Sequence, residues 1–126
     1  MKKILFLAAA AALAATPAFA DLAGELSTAQ THAGMAATQT DIAMAKKHLQ
    51  HAINCLVGPN GTGFDAAAGN PCGKAGNGAI PDSTSAAQKA KLTSIADNAK
   101  SAESSSDLAT VTKTAKETAD AVAAAK

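Results

Sequence analysis

The sequence predicts an all-α fold, a small three- or four-helix bundle with a long glycine-rich loop that a disulfide tethers to the bundle. Residues 21–57 are rich in Ala, Leu, Gln, Glu, Lys and Met, which favour helices, and they contain no Pro. Residues 83–126 space their apolar positions by three and four, as amphipathic helices do. Residues 58–82 hold most of the nine glycines. The alternative is a long helical hairpin in which residues 85–125 form one rod.

The amino-terminal stretch predicts an export signal. Met1-Lys2-Lys3 gives a charged start, residues 4–15 are apolar, and Ala18-Phe19-Ala20 is a small-x-small cleavage motif. The apolar run is shorter than the roughly 20 residues that span a membrane, and no second run follows. We therefore expect residues 1–20 to be a signal peptide and residues 21–126 to be a single helical domain, soluble in the periplasm, with no membrane span after cleavage.

The composition of residues 21–126 predicts a thin core. This part of the chain has no Trp, no Tyr and a single Phe, and Ala dominates, so helices must approach closely to gain packing energy. A cross-link or a homo-oligomer would add stability. Removing Lys2 and Lys3 lowers the basic count from 11 to 9 against 10 acidic residues, which gives a net charge of −1. Without Arg, stacking aromatics or positive charge, the sequence does not favour nucleic-acid binding.

Residues 21–57 predict either one long helix or two helices. Gly34 costs about 1 kcal/mol relative to Ala in a helix and is the first candidate for a break. Thr38-Gln39-Thr40-Asp41 is a weaker second candidate, because Thr and Asp are mediocre helix formers that also cap helix starts. Gly58 followed by Pro59 predicts the end of this helical part.

The following loop, residues 58–82, is predicted to be tethered. Cys55 and Cys72 are the two cysteines of an exported chain, which favours a disulfide between them over two metal-binding thiolates. Phe64 and Ile80 are the expected apolar anchors of the loop on the bundle.

The carboxy-terminal part returns to helix. Ser85 and Gln88 have the spacing of a capping box, and Leu92 and Ile95 begin an apolar stripe. The serine run 104–106 interrupts the pattern, which resumes with the same spacing up to the carboxy terminus. The interruption predicts a turn or a soft joint.

His48 and His51 are the predicted metal ligands. They are three residues apart on one helix, so their imidazoles can converge on one ion, and Met44 one turn earlier could add a soft thioether. Imidazole and thioether suit copper better than magnesium or calcium. The sequence therefore predicts an exported, non-catalytic transition-metal-binding protein, with copper favoured. In the competing interpretation the two histidines are structural, and one of them caps or bonds the loop.

His32 is predicted to lie outside this site. At about 100° per residue it falls about 160° around an unbroken helix from His48, and we expect it to be a solvent-exposed polar residue. A break at Gly34 would remove that objection.

The sequence leaves two alternative functions open. Haem b would need a second axial ligand from His32, from Met35, from Met44 on a bent helix, or from another subunit. The Cys-x-x-Cys-His motif that binds haem covalently is absent from the sequence. A structural or stress-related periplasmic factor would use an apolar helix face to bind a protein partner or a second copy. An enzyme is not predicted, because no nucleophile with an adjacent base is evident.

The segments His48 to Pro59 and Phe64 to Cys72 resemble a pattern in small exported bacterial helical proteins of unknown function. The resemblance covers the middle third of the chain. It implies no activity, and it supports treating the two histidines of residues 48–51 and the two cysteines as one unit.

Overall fold

The computed structural model describes residues 20–126, so the predicted signal peptide, apart from Ala20, lies outside the described residues. The regular elements of the described part are all helices, and this part contains no strand. Its elements are α1 (Leu22–Ala37), α2 (Ile42–Val57), a 3₁₀ turn (Ala66–Ala68), α3 (Ala79–Asp82), α4 (Ala86–Glu103) and α5 (Leu108–Ala124). The predicted all-α class and small bundle are confirmed, with four long helices and a break between α4 and α5 in place of a single rod.

The first helical part breaks at Thr38–Asp41. Gly34 lies inside α1, where its missing side chain faces open space, so the prediction of a break at Gly34 is wrong. The Asp41 carboxylate accepts a hydrogen bond from the Met44 N–H at 2.9 Å and thereby caps α2. Helix α1 tolerates the internal Gly34, which costs about 1 kcal/mol, and the chain breaks where a polar run can cap a new helix.

The carboxy-terminal helices begin as the sequence predicts. The Ser85 hydroxyl accepts the Gln88 N–H at 3.3 Å and caps α4, and Asp107 caps α5 through the Thr110 N–H. The Gln88 side chain does not complete the capping box but donates to the Ala125 carbonyl at the end of α5. It therefore ties the start of α4 to the end of the chain.

Alanine allows the four long helices to pack closely. Helix α1 lies against α2 and α5, while α4 also contacts both of these helices. The largest aliphatic side chains with no exposed surface come from α2, α4 and α5: Leu49, Ile53, Leu56, Leu92, Val111 and Val122. The alanines between them are also fully buried: Ala29, Ala33, Ala36, Ala45, Ala52, Ala99 and Ala115. The predicted thin core is thus made of a few aliphatic side chains separated by alanine contacts.

The loop after α2 is fixed to the bundle. Cys55 and Cys72 form the predicted disulfide, and Phe64 and Ile80 pack partly buried against the core. Cross-linking residues 17 positions apart contributes about 3 kcal/mol to stability in the chain-entropy description. None of the helices between residues 20 and 126 is long and apolar enough to cross a membrane.

A carboxyl group is buried where α1 meets this loop. Glu25 has no exposed surface, and its Oε1 accepts the Gly78 N–H at 2.8 Å, while Oε2 has no hydrogen-bond partner. Burial raises the pKa of Glu25 to about 7, and the nearby Asp82 carboxylate acts in the same direction against the Gly78 hydrogen bond. Because the folded chain holds this proton more tightly than the unfolded chain, stability falls as pH rises from about 4.5 to about 7.

Glu25→Gln should therefore stabilise the protein at pH 8 by about 2 kcal/mol and leave it nearly unchanged at pH 4. The amide keeps an acceptor for Gly78 and has no proton to lose. Urea unfolding of parent and variant at pH 4, 6 and 8 measures the difference. Glu117→Gln, at a 53% exposed side chain on α5, is the matched control and should change stability little at any pH. A Glu25→Gln effect of the same size at all three pH values would contradict the prediction.

Candidate metal centre

Three histidines from two helices meet on one side of the bundle. His32 comes from α1, and His48 and His51 come from consecutive turns of α2. One ring nitrogen of each lies within 4.8 Å of the other two, and all three side chains are half-buried. We refer to His32, His48 and His51 as the three-His cluster. This group could hold a metal ion.

The spacing within the cluster suits a small ion. The Nδ1 atoms of His32 and His48 are 3.4 Å apart, and the ring centres are 5.7 Å apart. The His51 ring stands nearly perpendicular to both, with its centre 4.8 Å from His32 and 5.9 Å from His48. Two imidazole nitrogens on a tetrahedral ion with bonds of about 2.0–2.1 Å lie about 3.3 Å apart. The His32–His48 separation is close to that value.

His51 is held in one tautomer by the loop. Its Nε2 lies 2.6 Å from the Ala68 carbonyl oxygen, which can only accept, so Nε2 carries the proton. Its Nδ1 then has a free lone pair, and this atom is buried with no hydrogen-bond partner. A hydrogen bond from the second ring nitrogen to a backbone carbonyl is the usual way in which proteins orient a metal-ligating histidine.

Asn54 holds the loop that carries this carbonyl. The Asn54 side chain is fully buried, and its Nδ2 donates to the carbonyls of Asp65 and Gly69 at 2.8 and 2.7 Å. Its Oδ1 accepts the Asp65 N–H at 3.0 Å and the Gln50 side-chain amide at 2.9 Å. All four hydrogen-bonding positions of the Asn54 side chain are thus used. Its loop partners, Asp65 and Gly69, lie on either side of Ala68 in the sequence.

Burial favours the neutral form of His32 and His48. The pKa values of His32 and His48 are lowered, chiefly because burial disfavours the charged ring and then because the neighbouring histidines repel a second charge. Neutral imidazole is the form of histidine that can bind a metal ion.

His32 is the residue that the sequence analysis placed wrongly. The angle of about 160° from His48 applies to an unbroken helix. The turn at Thr38–Asp41 instead folds α1 back along α2, which brings His32 across to His48. The expectation that His32 is an exposed residue outside the site is wrong.

The remaining residues predicted for the site lie in different surroundings. His48 and His51 share one face of α2, as their spacing predicts. Met44 lies one turn before His48 and is 42% exposed, and its role as a ligand stays a prediction. Cys55 and Cys72 are joined and almost wholly buried, so neither offers a thiolate.

Two features of the site were missed in the sequence. Asn54 lies in the last turn of α2, next to Cys55, at about 140° around the helix from Leu49, so no local pattern indicates that it binds the loop. No sequence signal identifies Ala68, because its backbone carbonyl is the functional group. The structural interpretation of the histidines is correct for His51, which does bond the loop.

Comparisons with protein-family models, with curated proteins and with solved structures find no match. Any function assigned to this chain therefore depends on the geometry of the three-His cluster.

Proposed function

We propose that this is an exported, non-catalytic protein that binds a transition metal, with copper preferred, through His32, His48 and His51. The observation that carries the proposal is the three-His cluster itself, in which one ring nitrogen of each histidine lies within 4.8 Å of the other two. In addition, the Nδ1 of His51 is buried without a hydrogen-bond partner. Leaving a buried polar atom unpaired costs about 1–3 kcal/mol. A bound ion removes that cost and explains why three rings that would repel when charged are gathered at one place.

The donor set supports copper. Three neutral imidazoles suit copper, zinc, nickel and iron, and they suit calcium and magnesium poorly, because those ions take oxygen ligands. With both cysteines in the disulfide, no thiolate is available to favour zinc or an iron–sulfur cluster. For a given nitrogen site, divalent copper binds more tightly than the neighbouring first-row metals.

The other functions from the sequence have less support. Haem needs axial ligands on opposite faces of the porphyrin, whereas His48 and His51 lie on consecutive turns of α2 and cannot supply both. A partner-binding apolar face is weakly supported, since the large hydrophobic side chains exposed between residues 20 and 126 are two methionines. A binding role is proposed over a catalytic one because the converging group consists of imidazoles alone.

Export rests on two observations. The stretch Met1 to Ala20 has the charged, apolar and small-residue parts of a signal peptide. The buried Cys55–Cys72 disulfide is typical of a protein from an oxidising compartment, such as the periplasm.

Titration of the metal-free, disulfide-intact protein tests the proposal. We expect about one equivalent of divalent copper to bind, with zinc and nickel weaker and magnesium and calcium not competing. Nitrogen hyperfine splitting in the electron paramagnetic resonance spectrum of the copper complex should show imidazole ligands. Lowering the pH should weaken binding, since protons then compete for the rings.

Failure of copper, zinc, nickel and cobalt to bind stoichiometrically would overturn the proposal. A copper spectrum without imidazole nitrogen would do the same, because the metal would then occupy another site. Periplasmic extraction of the expressed full chain, followed by mass measurement of the mature amino terminus, tests export separately.

A further inference from the structure

Two exposed methionines lie on the helices that carry the three-His cluster, each one helical turn from a cluster histidine. Met35 and Met44 are 43% and 42% exposed, and they are the large hydrophobic side chains exposed in the described part of the chain. Of the three methionines in the sequence, the remaining one is Met1. Every methionine after the predicted signal peptide is therefore at the surface, where its side chain adds little to the core.

The sequence spacing pairs each of the two methionines with one histidine of the three-His cluster. Met35 follows His32 by three residues in α1, and Met44 precedes His48 by four residues in α2, so each is one turn from a cluster histidine on its own helix. The two helices are joined by the turn at Thr38–Asp41 and run back along each other. Both methionines consequently lie on the same side of the cluster, between it and the turn.

Thioether and imidazole have different metal preferences. Thioether sulfur is a soft ligand that selects monovalent copper, whereas imidazole also accepts zinc and divalent copper. Since both cysteines are oxidised, Met35 and Met44 carry the free sulfur ligands of residues 20–126. A flexible, unbranched side chain at the surface can also adjust to an incoming ion.

We propose that Met35 and Met44 are a thioether pair that receives monovalent copper at the turn side of the three-His cluster, so that cuprous ion is a cargo of the site. This inference rests on the proposed function and names its metal and two further ligands. The ion binds without change of oxidation state. Thioethers hold it at the exposed end, and the cluster imidazoles complete the coordination.

The test compares the parent with Met35→Leu/Met44→Leu under anaerobic conditions. Leucine has nearly the same volume and removes only the sulfur, so the fold is retained. Competition against a chromogenic cuprous chelator should show at least a tenfold loss of cuprous affinity in the variant, while zinc and cobalt affinities stay within twofold. X-ray absorption at the copper edge should show sulfur scattering in the parent that the variant lacks.

The control is Thr93→Leu, an exposed position on α4, which should leave all affinities unchanged. Cuprous affinity within twofold of the parent in the double methionine variant would overturn the inference. A parent that binds zinc and divalent copper but no cuprous ion would also overturn it, while the proposed function would stand. Absence of binding for every metal would overturn both.

Discussion

His32→Ala is expected to raise the dissociation constant for divalent copper by about 100-fold or more. Removal of a residue that only orients a ligand costs about 10- to 100-fold, and His32 is placed as a ligand itself. Its Nδ1 lies 3.4 Å from that of His48, so truncation leaves two imidazoles on one helix and no imidazole from α1. Competition titration against a nitrogen chelator measures the change, and circular dichroism checks that helicity is retained.

The matched control for this variant is Thr31→Ala, one residue away and exposed on the same helix. It should bind copper as the parent does. The comparison also separates two interpretations of the site, because a centre made of His48 and His51 alone would tolerate the loss of His32. Parental copper affinity in His32→Ala would contradict the three-His arrangement.

Asn54→Ala is expected to lower the free energy of unfolding by about 4 kcal/mol. The substitution removes hydrogen bonds to the Asp65 N–H and to the Asp65 and Gly69 carbonyls, and each buried group left unpaired costs about 1–3 kcal/mol. Urea unfolding with the disulfide intact measures the loss. Because the loop then no longer holds the Ala68 carbonyl against His51, copper affinity should fall as well.

Asn98→Ala, at an exposed position of α4, is the control and should change stability by no more than about 0.5 kcal/mol. A loss below about 1 kcal/mol in Asn54→Ala would show that the Cys55–Cys72 disulfide alone fixes the loop.

The helices could be predicted because their signals are local. Gly58 stops α2, Ser85 caps α4, and the buried aliphatic residues recur at helical spacing. The position of the break in the first part could not be chosen, since the cost of Gly34 and the caps at Thr38–Asp41 are of similar size. In the folded chain Gly34 points to open space and costs little beyond its backbone entropy.

Only the part of the candidate site that lies on a single helix could be predicted. The spacing of His48 and His51 places both on one face of α2 whatever the rest of the chain does. The contribution of His32 depends on the direction in which α1 returns, and that of Asn54 depends on where the loop lies. Both contributions depend on the tertiary structure, and no local sequence pattern indicates them. The disulfide was predictable because two cysteines allow a single pairing.

The turn at Thr38–Asp41 also affects when the metal centre can form. His32 and His51 are separated by 19 positions, and the supporting carbonyl of Ala68 and the partner cysteine Cys72 follow within the next 21. Short sequence separations give fast folding, and chains that appear amino terminus first form their early segments first. During synthesis, the whole half that carries the candidate metal centre would therefore emerge before α4 and α5, and its assembly would precede completion of the bundle.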